Sequence, residues 1–138
     1  MLMRLLAGVG LMALCVTIHA GGLSWAIKRV RQYADRVKGF WPGTWLFILA
    51  AGWMVLLHLA EISVWAGFYA WKNAMPDLAT AFYFSAVTYT TTGYGDLVLP
   101  HDWRLVGGIE ALTGILMCGW STGFFFALAS RMYSDRAA

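Results

Sequence analysis

The chain has 138 residues, 60% of them hydrophobic and only 12% charged. A soluble domain of this length cannot hide so much apolar surface, so the composition excludes a soluble globular fold and points to one compact membrane unit. The net charge of +3 is small, but five of the ten basic residues fall between Lys28 and Lys38, a run better explained by a cytoplasmic juxtamembrane segment than by nucleic-acid binding.

The first apolar stretch runs roughly from Leu5 to Ile27 and reaches about 35 Å, enough to span. Arg4 followed by apolar residues also has the look of a signal peptide. Ile18, two residues before Ala20, fits a small-x-small cleavage site poorly, so the stretch is read as a transmembrane helix. Residues 24–40, SWAIKRVRQYADRVKGF, are predicted to form a separate interfacial helix. Ala26, Val30, Tyr33, Val37 and Phe40 share one face, and Lys28, Arg31, Asp35 and Lys38 take the other. An apolar face with a cationic back suits the inner surface of an anionic membrane, with Lys28, Arg29, Arg31, Arg36 and Lys38 toward the lipid headgroups. Pro42 and Gly43 are expected to break the chain.

A second span is expected from Trp45 to about Trp71, and a third from about Trp103 to Ser130, each about 40 Å long and so able to tilt. Eight tryptophans suit the membrane–water boundary. Cys15 and Cys118 sit inside apolar runs and are read as packing residues, not as a disulfide or metal site. Arg131 and Arg136 follow the third span. With both basic clusters in the cytoplasm, the carboxyl terminus is cytoplasmic, and the 72–102 connection and the amino terminus are outside.

Within that connection, Pro76-Asp77 opens a helix, with a fixed φ and an early carboxylate. Leu78 to Thr90 is apolar and aromatic but too short to span, which makes it a re-entrant candidate. It leads directly into Thr90-Thr91-Thr92-Gly93-Tyr94-Gly95-Asp96. Non-helical backbone at membrane depth survives only when buried in protein or lining a watery path. Gly93 and Gly95 can take positive φ, and alternation of such residues turns successive carbonyls to one side. Rings of carbonyls can replace the water shell of a cation, and the short helix aims its negative end at the cavity below.

The hexamer from Thr91 to Asp96 resembles the potassium-channel selectivity filter, written T-V-G-Y-G-D in that family. The resemblance extends over roughly residues 45–131 as outer helix, pore helix, filter and inner helix, and the whole is similar to small bacterial ion-channel-domain proteins with an added amino-terminal span. It implies an all-α membrane protein with three transmembrane helices, a re-entrant pore helix and a filter, assembled as a homotetramer. It also implies an N-terminal unit over 1–43, a pore domain over 44–138, and a place in the bacterial inner membrane. By the same resemblance, the carbonyls of Thr91, Thr92, Gly93 and Tyr94 would bind dehydrated K⁺ as the permeant ion, with the Thr91 hydroxyl forming the innermost site and Gly95 completing the filter. Neither enzymatic activity nor a cofactor is expected.

Thr92 stands where the family usually has an apolar residue, and its hydroxyl calls for a partner behind the filter. Val87 replaces a pore-helix glutamate found in some members, and Tyr83 and Phe84 replace a tryptophan pair. Tyr83 is therefore expected to hydrogen bond Asp96, with Thr88 on the same supporting helix. Gly114 and Gly119 fall where inner helices of the family often carry hinges. Aligned on Gly114, residues Ile115, Cys118, Thr122, Phe126 and Ser130 are expected to face the cavity or its mouth, with Phe126 as the constriction. Glu61 is expected to anchor the outer helix to donors near residues 104–110 at filter depth, and Glu110 lies at the same level; if the two meet, one carries a proton. His58, three residues before Glu61, can share its face.

Three other readings stay open on the sequence: a non-selective cation channel, a non-conducting subunit that keeps the pore fold, and a haem- or quinone-linked subunit using His19 and His58. No voltage-sensor helix with repeated Arg or Lys is present, and the few residues after the third span are expected to hold no ligand-binding domain. The sequence thus names no gating stimulus.

Overall fold

A computed structural model describes residues 1–34 and 39–134 of the chain. Four helices follow in order: α1 (Leu2–Ala34), α2 (Phe40–Trp71), α3 (Leu78–Tyr89) and α4 (Arg104–Ser134), with a 3₁₀ turn at His101–Trp103 before α4. Three segments are long and apolar enough to cross a membrane: Leu2–Tyr33, Phe40–Trp71 and His101–Met132. The protein is an all-α, multi-pass membrane protein, and α3, at 12 residues, is too short to cross.

Two expectations about the first third of the chain are corrected. Residues 24–34 do not form a separate interfacial helix but continue α1 without a break, giving one helix of 33 residues and about 50 Å. The change from apolar to charged side chains at Lys28 is a boundary of polarity. It is no boundary of backbone, because nothing between Ile27 and Ala34 interrupts the i→i−4 ladder. Along this extension Ala26 is buried while Lys28, Arg29 and Arg31 are exposed. Asp35, Arg36, Val37 and Lys38 of the expected interfacial helix, and Arg136 after α4, lie outside the described residues. Likewise, Pro42 and Gly43 do not break the chain. They sit in the first turn of α2, where proline's missing amide would have had no helical partner.

The first span is an integral part of the bundle. It packs along α4 and α2, while α3 lies between α2 and α4. Arg4 at the start of α1 pairs with Asp102 at 2.9 Å and lies over the Trp103 ring, so the amino terminus and the 72–102 connection share one end of the bundle. Toward the other end, Trp53 Nε1 donates to the Gly22 carbonyl at 3.0 Å, tying α2 to α1. The core around α3 is aromatic: Trp65, Tyr69, Phe84 and Tyr89 are buried. Tyr69 and Phe84 meet edge to face at 5.6 Å, a favourable geometry for their ring quadrupoles.

Candidate functional site

The site is built on α3 and the seven residues that follow it. Asp77 caps the helix: its carboxylate accepts from Thr80 N at 2.8 Å and from Thr80 Oγ1 at 2.7 Å. The Thr80 amide bond, reinforced by the hydroxyl, holds the Asp77 carboxyl below its usual range. At the other end, Thr90 is the C-cap, and its hydroxyl donates back to the Ala86 carbonyl at 2.7 Å. Two more amides turn back on the helix, Thr91 N to Thr88 O at 2.9 Å and Gly93 N to Val87 O at 3.2 Å.

Beyond the cap the backbone alternates in hand. Thr91, Gly93 and Gly95 have φ of 59°, 55° and 79°, and Thr92 and Tyr94 between them are not in this region. The glycines take such angles freely, but left-handed backbone disfavours Thr91 by about 1–2 kcal/mol, which the folded surroundings must offset. Residues 90–96 are all exposed in the single chain, and Tyr94 is 72% exposed. An irregular segment of alternating hand thus runs along an uncovered face of the chain.

The expected Tyr83–Asp96 hydrogen bond is present: Tyr83 Oη donates to Asp96 Oδ2 at 2.8 Å, and this bond raises the phenol's proton affinity. The Thr92 hydroxyl has a partner in Thr90 Oγ1 at 2.9 Å. Behind the segment, Tyr83, Phe84, Val87 and Thr88 line a space of about 20 Å³ against residues 93–97, room for a single water.

The expectation for Glu61 is overturned. It makes no bond to residues 104–110. Its carboxylate, fully buried, accepts from His19 Nδ1 at 2.9 Å and from Tyr89 Oη, and His58 Nδ1 stands 3.7 Å away. The tie between α2 and α4 belongs to Glu110 instead: Tyr69 Oη of α2 donates to Glu110 Oε2 of α4 at 2.8 Å. Ser85 of α3 faces the same carboxylate, although Ser85 Oγ and Glu110 Oε1 each lack a well-formed hydrogen bond among the described residues. Glu110 stands by Ser85 within α3, and Glu61 by Tyr89 at its last residue. The rotation of α2 about its axis turns Glu61 toward α1 and α3, and Tyr69 toward α4.

Gly114 packs against α3. It is buried where α4 crosses the end of α3, and a β-carbon built on it would overlap the Tyr89 carbonyl oxygen. Its absent side chain permits this close approach. Gly119, by contrast, has open space around its Cα. Ile115, Cys118, Thr122, Phe126 and Ser130 share an exposed stripe of α4 with it, Phe126 being 75% exposed.

His19 and His58 lie side by side, ring centroids 5.3 Å apart, with no room for a porphyrin between them. Both nitrogens of each ring are hydrogen bonded: His19 to Glu61 and Ser121 Oγ (3.3 Å), His58 to Tyr89 Oη (3.2 Å) and Ser121 Oγ (3.1 Å). The donor atoms of His19, His58 and Glu61 fall within 4.8 Å of one another, but those bonds already occupy them, and the cluster is a hydrogen-bonded network. The sequence reading gave no part to Tyr69, Ser85, Tyr89 or Ser121. A serine at 121 in so apolar a span was a signal that it needs a partner inside the bundle.

Comparison with known proteins bears on this arrangement. A family profile described as ion channel matches residues 44–131, α2 through most of α4. The chain is 36% identical over 72 residues to the potassium voltage-gated channel protein Shal of Drosophila melanogaster, covering 48% of this chain and 12% of that protein. The chain thus corresponds to a small part of that relative's length. No solved structure matches.

Proposed function

This chain belongs to the ion channel family, and on that premise we propose that it is a K⁺-selective channel, four copies of which surround a passive conduction path. One observation carries the reading: positive φ at 91, 93 and 95, at the end of a helix that enters the bundle without crossing it. Alternating hand directs the carbonyls of Thr91, Thr92, Gly93 and Tyr94 to one side, and a ring of such groups substitutes for a cation's hydration shell. One chain supplies one quarter of the ring, so the exposed face of residues 90–96 is the face turned to the fourfold axis. The Thr91 hydroxyl forms the innermost site. The carboxyl end of α3 contributes its negative dipole to the cavity beneath. The potassium specificity in the fly relative's name supports K⁺ as the ion.

In this assembly the exposed stripe of Ile115, Cys118, Thr122 and Phe126 lines the cavity, and four Phe126 rings form a dewetted constriction. The basic end of α1, with Lys28, Arg29 and Arg31, meets anionic lipid on the cytoplasmic side of a bacterial inner membrane. The filter then opens to the outside and the carboxyl terminus is cytoplasmic.

The test is ion flux and reversal potential of the full chain in liposomes under bi-ionic K⁺ and Na⁺, with barium as a blocker. K⁺ is expected to permeate far better than Na⁺, and Tyr94→Ala to weaken the preference. Equal permeability in the unmutated protein would make it a non-selective cation channel. Complete absence of flux would make it a non-conducting relative.

A further inference from the structure

Five side chains close a ring in the bundle interior. Glu61 bonds His19, His19 bonds Ser121, Ser121 bonds His58, His58 bonds Tyr89, and Tyr89 returns to Glu61. The ring draws one member each from α1, α3 and α4 and two from α2, so it joins the four described α-helices at one point. His19 and Glu61 are fully buried, and Tyr89 and Ser121 nearly so.

The protons in this ring can be counted. Five hydrogen bonds need five protons. With Glu61 ionised and both imidazoles neutral, the ring holds four: one on each histidine, one on Tyr89 and one on Ser121. One bond must then fail. If the His58 proton sits on Nε2, the Tyr89 hydroxyl faces both Glu61 and a bare His58 Nδ1 and can donate to only one; if it sits on Nδ1, two bare imidazole nitrogens face the Ser121 hydroxyl, which can donate to only one of them. Its other neighbour, Met54 Sδ at 3.6 Å, is a weak acceptor and cannot supply the missing donor.

We propose that the ring is a proton-binding site that holds one proton beyond this count, with His19 as an imidazolium paired to the Glu61 carboxylate. Every bond then has one donor and one acceptor. His19 Nδ1–H donates to Glu61 Oε1 and His19 Nε2–H to Ser121 Oγ. Ser121 donates to His58 Nε2, His58 Nδ1–H to Tyr89 Oη, and Tyr89 to Glu61 Oε2. The buried charges cancel within one contact, as burial requires. The Trp120 ring, its centroid 5.6 Å from that of His19, favours the cation at 19 over the one at 58. The other titratable groups facing Glu61 are the thiols of Cys15 on α1 and Cys118 on α4, and Glu110 of α4 faces Cys15.

The consequence is a proton-loaded clasp. Tyr89 is the last residue of α3, immediately before the segment of alternating hand. As pH rises and the proton leaves, one bond of the ring fails, at Ser121 or at Tyr89, and the clasp that holds Tyr89 slackens. The effect on conduction rests on the channel reading; the proton site itself does not.

The experiment uses full-length protein labelled with ¹⁵N-histidine in lipid, in a His101→Gln background that removes the exposed third histidine. Nitrogen shifts at neutral pH are expected to show one doubly protonated imidazole and one neutral one. Glu61→Gln keeps the shape but removes the counter-charge, and should leave both neutral. Thermal stability should fall with rising pH as the imidazolium signal disappears in the unmutated protein, and stay flat over that interval in Glu61→Gln. Two neutral rings in the unmutated protein, or an imidazolium that persists in Glu61→Gln, would overturn the proposal. Shifts that EDTA alters would assign the cluster to a bound metal and overturn it too. Rubidium flux should fall over the same pH interval; flux that ignores it would overturn the coupling to the filter. A protein silent at every pH would instead count against the conduction reading, and the nitrogen spectrum would still decide the ring.

Discussion

Gly114 of α4 rests directly on the carbonyl of Tyr89, so closely that a β-carbon at 114 and that oxygen would occupy the same space. The contact sets the inner helix against the final turn of the short helix, one residue before its cap at Thr90.

Gly114→Ala is therefore expected to force α4 off α3. Overpacking of this kind costs about 1–3 kcal/mol, read as a lowered thermal midpoint in detergent together with loss of flux. Gly119→Ala, at a position with open space around it, should leave the midpoint nearly unchanged. Equal midpoints for the two variants would show that the helices separate without penalty.

Tyr83→Phe removes the side-chain bond that ties the 90–96 segment's aspartate to α3, at 2.8 Å. Both partners are exposed in the single chain, so overall stability should barely move. Sustained conduction should instead decay severalfold faster after a concentration jump, because the outer end of the segment is less firmly held. Unchanged decay would mean that neighbouring subunits or water brace Asp96 without Tyr83.

The buried Tyr69–Glu110 bond predicts an asymmetry between two conservative changes. Tyr69→Phe deletes the donor and leaves a buried carboxylate oxygen without its partner, at about 1–3 kcal/mol. Glu110→Gln keeps an acceptor for Tyr69 and presents an amide donor toward the facing Ser85 Oγ, so its loss should be distinctly smaller. Unfolding curves of the two variants in the same detergent make the comparison, and a larger loss for Glu110→Gln would contradict it.

Asp77 predicts an acid limb in stability. Its carboxyl is held below the ordinary range in the folded chain, chiefly by the Thr80 amide. The cap's contribution is thus complete above the unfolded carboxylate range and is lost as pH falls through the lower folded value. Asp77→Asn keeps a capping oxygen that does not titrate and should flatten this limb; Asp77→Ala should lower stability at all pH values. Thermal midpoints across the acid range measure it, and an identical acid limb in Asp77→Asn would move its origin elsewhere.

Much of this was legible in the residues. Hydropathy alone gave three spans, because backbone polar groups in lipid leave little choice but helix. Pro76-Asp77 marked the start of α3, since capping is local chemistry. The pairing of Tyr83 with Asp96 followed from the family resemblance, in which Tyr83 and Phe84 stand in place of a tryptophan pair. The glycine spacing foretold alternating backbone hand, although the extension of that alternation to Thr91 needed the folded chain. Where sequence marks were read too literally, they misled: charge at Lys28 did not end a helix, and Pro42 did not break one.

The tertiary structure decided which buried polar groups meet. Glu61 and Glu110 are alike in sequence, each an acid within an apolar span. Helical periodicity fixes their depth but not the rotation of one helix against another, and that rotation sends Glu61 to His19, 42 residues away, and Glu110 to Tyr69, 41 residues away. The same holds for His19 and Ser121, whose contact joins positions 102 apart. Such contacts arise when whole faces pack, as the bundle excludes water from groups that can be satisfied only by one another. The amino acid sequence therefore determined the helices and the segment of alternating hand, while packing alone made α1 part of the bundle and closed the ring beneath that segment.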